Sequence, residues 1–212
     1  MRQGVYPHAL AMNTRENVTW DRFQGFYFPA GQIEMASDVP LDGILNYPLI
    51  ITDYDGAAQA LGEETDIRHV ISIGDVDDMP PASFGAHPAR KLRLSFTDIE
   101  RESPSCPWYQ PCQWADVEAI IAFAPGVDGL LLCHCAAGIS RSTAAALIVL
   151  ASAFGPGREA EAVMYLCEVR PQAFPNRRMV WMADTLLGRE GALIAAHRER
   201  WVMRDLLEVP GR

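Results

Sequence analysis

The order of apolar and polar positions predicts a chain in which strands alternate with helices over its middle part. Apolar runs typical of buried strands occupy residues 44–52, 70–73 and 130–133. Residues 92–96 alternate apolar and polar side chains, which predicts a strand with one covered face. After the first strand, Asp53 is placed as the N-cap of a short helix. This order is typical of a sheet whose strands are connected by helices.

Helical periodicity dominates the rest of the chain. Apolar residues recur at i, i+3, i+4 and i+7 over 117–124, which predicts an amphipathic helix, whereas 142–154 is apolar nearly all round and predicts a buried helix. Further helices are predicted over 158–169 and 179–201, the last with a break at 188–191. We therefore expect an α/β fold, with a central, mostly parallel sheet of four to five strands flanked by helices and a helical C-terminal third.

The N-terminal residues 1–43 follow neither pattern. Their aromatic residues cluster between glycines and prolines, and two interpretations stay open. In one, these residues are an extension that packs its aromatic side chains on the domain. In the other, they form a lid or a partner surface. The predicted division is an N-terminal extension over 1–43, packed on a single domain over 44–212.

Composition and charge narrow the class of protein. A length of 212 residues, with 49% apolar and 21% charged residues, is typical of one soluble domain. The formal charge of −9 disfavours nucleic acid as a partner. No apolar segment reaches the roughly 18 residues of a membrane span, and no signal peptide is evident, so we expect a cytoplasmic protein. The five cysteines and five histidines show no metal-ligand spacing, so we expect no metal and no cofactor.

The segment LLCHCAAGISRST, residues 131–143, concentrates the chemistry of the chain. An apolar strand ends here, and a loop of small residues leads into the buried helix. Glycine and small side chains let successive N–H groups point inward, and the helix directs the positive end of its dipole at the same point. Such a concavity binds a tetrahedral oxyanion. The residues predicted to bind it are Ala136, Ala137, Gly138, Ile139, Ser140 and Arg141.

Four side chains of this segment are assigned roles. Arg141 offers a planar fork of donors that can hold two phosphate oxygens at once. The electropositive surroundings of Cys135 favour its thiolate, which is a nucleophile toward a bound phosphoryl group. Ser142 can donate a hydrogen bond to the sulfur and help it leave. His134 is expected to order the loop through its ring rather than to transfer protons.

The segment HCAAGISRS resembles the signature loop, His-Cys-x5-Arg-Ser/Thr, of the cysteine-dependent protein tyrosine phosphatases. Its AGISRST part is especially similar to the dual-specificity subgroup, and the resemblance covers roughly residues 44–190. The resemblance implies a phosphatase-like catalytic domain over 44–212, with the loop at the carboxyl end of a central strand. It also implies metal-free hydrolysis of a phosphomonoester through a phosphocysteine intermediate.

Such a reaction needs an acid that protonates the departing oxygen. We assign Asp98, because LRLSFTDIE resembles the strand-end aspartate of the dual-specificity phosphatases. Glu100 and Glu102 in the same loop, and Asp116 near a helix start, are rival candidates. The Trp-Pro-Asp loop of the larger, tyrosine-only phosphatases is absent.

Two further residues have two interpretations each. Asn176 resembles the family's Pro-Asn segment, which supports the catalytic loop, and it could equally be a helix N-cap. Cys133 could form a regulatory disulfide with an oxidised Cys135, although a plain core cysteine is the simpler interpretation.

The expected substrate is a phosphorylated protein or peptide. Phosphatases that act on highly charged inositol phosphates generally carry Lys or Arg within the loop, and none lies between Cys135 and Arg141. Phosphotyrosine is therefore favoured, with dual specificity open. A lipid or small-metabolite phosphate and a noncatalytic phosphate-binding module are the alternatives. An arsenate reductase is disfavoured, because low-molecular-weight forms place the loop near the N-terminus.

Overall fold

The computed structural model describes residues 48–64 and 66–207. Within them the chain forms four strands, six helices and a short 3-10 helix, Ala124–Gly126. The strands are β1 (Leu49–Thr52), β2 (Ile67–Gly74), β3 (Arg90–Ser95) and β4 (Leu130–His134). The helices are α1 (Tyr54–Glu63), α2 (Trp114–Phe123), α3 (Arg141–Phe154), α4 (Glu159–Val169), α5 (Arg177–Leu186) and α6 (Ala192–Leu207).

The four strands form one parallel sheet in the order β1-β4-β2-β3. Strand β4 lies inside the sheet, where Cys133 is opposite Ile51 of β1 and Ile71 of β2. Because the strands are parallel, their carboxyl ends meet at one edge of the sheet. The segments that follow all four strands therefore converge there, and this edge carries the candidate site. The predicted α/β fold with a parallel sheet is confirmed.

Helix α3 is the centre of the core. Every residue from Arg141 to Ala151 is buried, as the all-apolar pattern predicts, and α3 packs against α2, α4, α5 and the sheet. The polar residues of its first turn are therefore held inside the protein. Burying Arg141, Ser142 and Thr143 is costly unless each finds partners, and their partners define the site described below.

Some helix boundaries in the structure differ from those predicted from the sequence. Helix α2 begins at Trp114, three residues before the first predicted position, because the Asp116 carboxylate accepts a hydrogen bond from Gln113 N at 2.8 Å. Asp53 caps α1 as predicted and accepts from Gly56 N at 2.8 Å. Helix α6 continues to Leu207, past the predicted end. The predicted extension over 1–43 and the first residues of the strand predicted over 44–52 lie outside the described residues.

None of the described helices combines the length and the apolar character that crossing a membrane requires.

Candidate active site

The signature loop, residues 135–141, is held in place from outside through its carbonyl oxygens. Four carbonyls of the loop each accept a hydrogen bond from a neighbouring segment. The donors are Tyr54 N for Ala136 (3.3 Å), Arg170 Nε for Gly138 (3.0 Å), Phe174 N for Ile139 (2.9 Å) and Asn176 N for Ser140 (3.3 Å). The loop is thus fixed by the start of α1 on one side and by the α4–α5 connection on the other.

This arrangement leaves the loop amides for a ligand. Within residues 48–64 and 66–207, no backbone N–H from 136 to 141 donates a hydrogen bond to the protein. Ser140 is the N-cap of α3, yet its hydroxyl does not cap the helix, so the first amides of α3 also stay available. Unpaired amides together with the positive end of a buried helix dipole form an anion site. Binding of a tetrahedral oxyanion by this loop stays a prediction.

Gly138 allows the loop to pass close to the β1–α1 junction. Its φ angle is +67°, in the left-handed region that favours glycine. A Cβ at this position would lie 2.4 Å from the carbonyl carbon of Thr52 and 2.6 Å from Asp53 N. No side chain fits here without movement of the backbone.

Cys135 lies at the base of the loop, 2% exposed. Its Sγ is 3.2 Å from the Oγ of Ser142, which is fully buried on α3. At this distance the hydroxyl can donate to a thiolate at Cys135. Cys133 is a free, fully buried thiol in β4, and burial raises the pKa of this thiol well above its usual range. Its surroundings are those of a core cysteine.

Arg141 is 3% exposed and is fixed at one end of its guanidinium. Nη1 donates to Asp75 Oδ1 and to the carbonyl of Phe96, both at 2.6 Å. Nε lies 3.8 Å from Asp98 Oδ2 and has no hydrogen-bond partner among the described residues. A buried donor of a charged group without a partner is costly, and an oxyanion in the loop would supply the partner.

Asp98 joins the signature loop to the start of α5. Its Oδ1 accepts hydrogen bonds from Ser140 Oγ at 2.7 Å and from Asn176 Nδ2 at 2.9 Å. The Oδ1 of Asn176 accepts from Met179 N at 3.2 Å and caps α5. The two interpretations of Asn176 are therefore compatible, because one end of its amide caps the helix and the other holds Asp98.

The three rival carboxylates have other surroundings. Glu100 forms a bidentate ion pair with Arg177, with distances of 2.8 Å from Nε to Oε1 and 2.6 Å from Nη2 to Oε2. Glu102 is exposed. Asp116 caps α2, and burial raises its pKa. Among these four candidates, only Asp98 contacts the signature loop within the described part of the chain.

His134 is buried beneath the loop at the end of β4. Burial, with a contribution from the positive charge of Arg93, lowers the pKa of His134 to about 4, so the ring is neutral at pH 7. The ring packs edge-on to Tyr54, with the ring centroids 6.3 Å apart. A hydrogen bond with the backbone of Cys135 acts on the pKa of His134 in the direction opposite to burial. The role of the ring in ordering the loop stays a prediction.

Asp75 is a site residue that the sequence analysis missed. It follows β2 directly, at the same sheet edge as the signature loop, and it holds Nη1 of Arg141. A signal was present, since the rule that favoured Asp98, an aspartate at the end of a strand, applies equally to Asp75. In the described residues, no three His, Cys, Asp or Glu side chains are grouped so that they could hold a metal ion.

Comparison with known proteins identifies the fold. No protein-family model matches the chain, and no curated protein matches its sequence. Among solved structures, human DUSP28 is 21% identical, with a TM-score of 0.50 over 69% of this chain and 94% of its own. The human tyrosine phosphatase-like serine/threonine/tyrosine-interacting protein is 23% identical, with a TM-score of 0.52 over 70% and 96%. PTPMT1 in complex with PI(5)P is 14% identical, with a TM-score of 0.50 over 70% and 95%. The chain therefore has the fold of the dual-specificity phosphatases.

Proposed function

We propose that this protein is a phosphomonoester hydrolase that works through a phosphocysteine intermediate, with phosphotyrosine in proteins as the favoured substrate. One observation carries the proposal. A buried cysteine lies beside unpaired loop amides, Asp98 accepts a hydrogen bond from Ser140 of the same loop, and Asp75 holds the loop residue Arg141. Nucleophile, oxyanion donors and acid thus meet at one sheet edge, as phosphoryl transfer requires.

In the first step, the Cys135 thiolate attacks phosphorus as the bond to the leaving oxygen breaks. Asp98 transfers its proton to that oxygen, which would otherwise depart as a poorly stable alkoxide or phenolate. The loop amides and Arg141 stabilise the charge on the three equatorial oxygens, and this electrostatic contribution supplies much of the barrier reduction.

In the second step, water attacks the phosphorus of the phosphocysteine and the phosphorus–sulfur bond breaks. The Asp98 carboxylate accepts the proton from water, and inorganic phosphate leaves. Ser142, with its Oγ 3.2 Å from the sulfur, donates a hydrogen bond to the thiolate as it departs. Charge-assisted hydrogen bonds of this kind are stronger than neutral ones.

The loop itself supports phosphotyrosine as the substrate. No residue between Cys135 and Arg141 is charged; Ala136, Ala137 and Ile139 are apolar, and Ile139 is 39% exposed at the rim. An uncharged, partly apolar rim suits an aryl ring better than a polyanionic headgroup. Because PTPMT1, whose solved complex contains PI(5)P, shares this fold, PI(5)P is the comparison substrate for the lipid alternative.

The test is phosphate release in the presence of chelator from an aryl phosphate, phosphotyrosine and phosphoserine peptides, and PI(5)P. We expect the wild type to prefer the phosphotyrosine peptide. We expect Cys135→Ser to lose turnover and still bind, and Asp98→Asn to lose at least 100-fold in kcat. Turnover by Cys135→Ser would overturn the covalent mechanism. Binding of phosphopeptides without hydrolysis by the wild type would favour a noncatalytic phosphate-binding module.

A further inference from the structure

A cavity of about 310 Å³ adjoins the signature loop at Ala136. Tyr54, Asp78, Met79 and Arg93 line it, and the end of β2 forms part of its wall. The mechanism proposed above uses none of these side chains. The cavity therefore offers space beside a bound phosphoryl group for another part of the same substrate.

Arg93 is the one basic side chain in this lining, and its charge has no direct counter-ion. Nη1 donates to Ser72 Oγ at 2.8 Å and Nη2 to the carbonyl of Asp78 at 2.6 Å. Both acceptors are neutral, and no carboxylate oxygen among the described residues lies within 4 Å of its guanidinium. A guanidinium has five N–H donors, so these two bonds leave others for a ligand in the cavity.

The surroundings of Arg93 compensate its positive charge only in part. Burial is the main cause that lowers the pKa of Arg93, and the nearby charge of Arg141 acts in the same direction, whereas Asp78 opposes them. The Asp78 carboxylate is itself engaged, because its Oδ2 accepts from Asp75 N at 2.8 Å. An acidic group that entered the cavity would pair directly with Arg93 and so stabilise its partly buried positive charge.

The position of the guanidinium is built into the end of β2. A Cβ at Gly74 would lie 2.4 Å from Nη2 of Arg93. The missing side chain at Gly74 therefore lets the guanidinium lie across the strand end, where its two hydrogen bonds hold it. A cation fixed before the ligand arrives loses little conformational freedom on binding.

We propose that this cavity is a specificity subsite, in which Arg93 binds an acidic side chain that flanks phosphotyrosine in the substrate peptide. The proposal rests on the proposed phosphatase function. Tyr54 and Met79, which are 38% and 77% exposed, provide apolar contacts for the stem of that side chain. The enzyme would thus select acidic phosphotyrosine sequences through a residue outside the signature loop.

The test is a set of phosphotyrosine peptides in which one glutamate is moved through the flanking positions, each paired with the same peptide carrying glutamine. We expect the wild type to prefer glutamate about tenfold in kcat/KM at one or two positions, mainly through KM. We expect Arg93→Gln to lose that preference, so that kcat/KM for the two peptides differs by about onefold. We expect Arg93→Lys to keep part of the preference. Gly74→Ala, whose new Cβ displaces Nη2, should also reduce the preference and provides a second variant if Arg93→Gln does not fold.

Binding of the same peptides to Cys135→Ser, measured by calorimetry, separates this proposal from the proposed function. If the wild type hydrolyses glutamine peptides and neither assay shows a preference for glutamate, the subsite is overturned and the phosphatase stands. If the wild type hydrolyses nothing, the proposed function is overturned. The ratio of the affinities for the glutamate and glutamine peptides then still decides whether the subsite exists. If the preference for glutamate over glutamine peptides is the same in Arg93→Gln as in the wild type, the role of Arg93 is contradicted. The proposal is also contradicted if Arg93 supports a preference for PI(5)P while the enzyme shows no preference among the peptides.

Discussion

At the scale of single residues, the site depends on positions where only one side chain fits. Cys135, Arg141 and Asp98 could be proposed from the sequence, because residue type, spacing and the end of a strand single them out. Asp75 could not be assigned with the same ease. Its contact with Arg141 depends on how far the β2 end extends past β4, and no pattern within either strand contains that information.

Gly138 gives the sharpest prediction at this scale, because two independent constraints coincide there. We expect Gly138→Ala to lower the free energy of unfolding by about 3 kcal/mol and kcat/KM by at least 100-fold. The positive φ accounts for about 1–2 kcal/mol. The contact of a Cβ with the backbone of Thr52 and Asp53 accounts for the rest, and also displaces the loop amides.

Gly155 is the matched control for this substitution. It also has a positive φ, of +85°, but a Cβ there meets no atom within 4 Å, and the residue lies at the far end of α3. Gly155→Ala should therefore lower the free energy of unfolding only by the cost of the positive φ, and it should leave kcat/KM unchanged. Urea unfolding and aryl phosphate kinetics of both variants make the comparison. Equal effects of the two variants on kcat/KM would contradict a special role for the loop glycine.

At the scale of elements, helix α5 fastens both the signature loop and the segment that carries Asp98. Arg177 pairs with Glu100, and Arg178 Nε donates to the carbonyl of Cys112 at 2.7 Å, so the first turn of α5 holds both ends of this segment. Helical periodicity predicted that α5 exists. It could not predict this fastening, since the contacts join residues more than 60 positions apart and involve the polar face of the helix.

Asn176 allows the two functions of the α5 start to be separated. Asn176→Asp keeps an oxygen that accepts from Met179 N but replaces the amide that donates to Asp98. We expect this variant to keep the N-cap but to lose about 1–3 kcal/mol of unfolding free energy, because a carboxylate buried beside Asp98 replaces the amide that donates to it. We expect kcat to fall about tenfold with little change in KM, because Asp98 loses a hydrogen bond and gains a negative neighbour.

The comparison variant is Asn176→Ala, which loses the cap and the donor together. It should cost about 1 kcal/mol of unfolding free energy in addition to the loss in kcat. Thermal unfolding and steady-state kinetics measure both quantities. If Asn176→Asp retained full kcat, the contact with Asp98 would have no part in positioning the acid.

At the scale of the whole molecule, the sheet order explains why residues from distant parts of the sequence meet. Alternation of strands and helices was sufficient to predict a parallel sheet with its functional edge at the carboxyl ends of the strands. The order β1-β4-β2-β3 was not predictable, because it depends on which apolar faces pack best in three dimensions. That order places β4 between β1 and β2, and so surrounds Cys135 with the loops of both neighbours.

Two buried histidines make the stability of the whole molecule depend on pH. Burial lowers the pKa of His134 to about 4 and also lowers the pKa of His197, whose Nε2 contacts the carbonyl of Pro175 at 3.0 Å. In the unfolded chain a histidine takes up its proton near pH 6.5. Between that pH and the lower folded pKa, the unfolded state binds more protons than the native state, so stability falls with decreasing pH.

Two buried carboxyls act in the opposite direction at lower pH. Burial raises the pKa of Asp116 and of Asp184, so the native state takes up these protons before the unfolded state does. Their contribution to stability therefore increases as pH falls through the folded pKa of each carboxyl. The histidines titrate in the unfolded chain at higher pH than carboxyls do, so the net effect between pH 7 and pH 5 is a loss of stability.

We expect the free energy of unfolding to fall by about 2 kcal/mol from pH 7 to pH 5, since lowering the pKa of His134 from about 6.5 to about 4 contributes close to that amount alone, at about 1.4 kcal/mol per pH unit. Urea unfolding at pH 7, 6 and 5 measures this change in the wild type and in His134→Gln and His197→Gln. Each variant should have a shallower pH dependence, whatever its stability at pH 7, because glutamine does not titrate. A variant with the same slope as the wild type would show that its histidine is protonated equally in both states, and hence that burial does not keep that ring neutral.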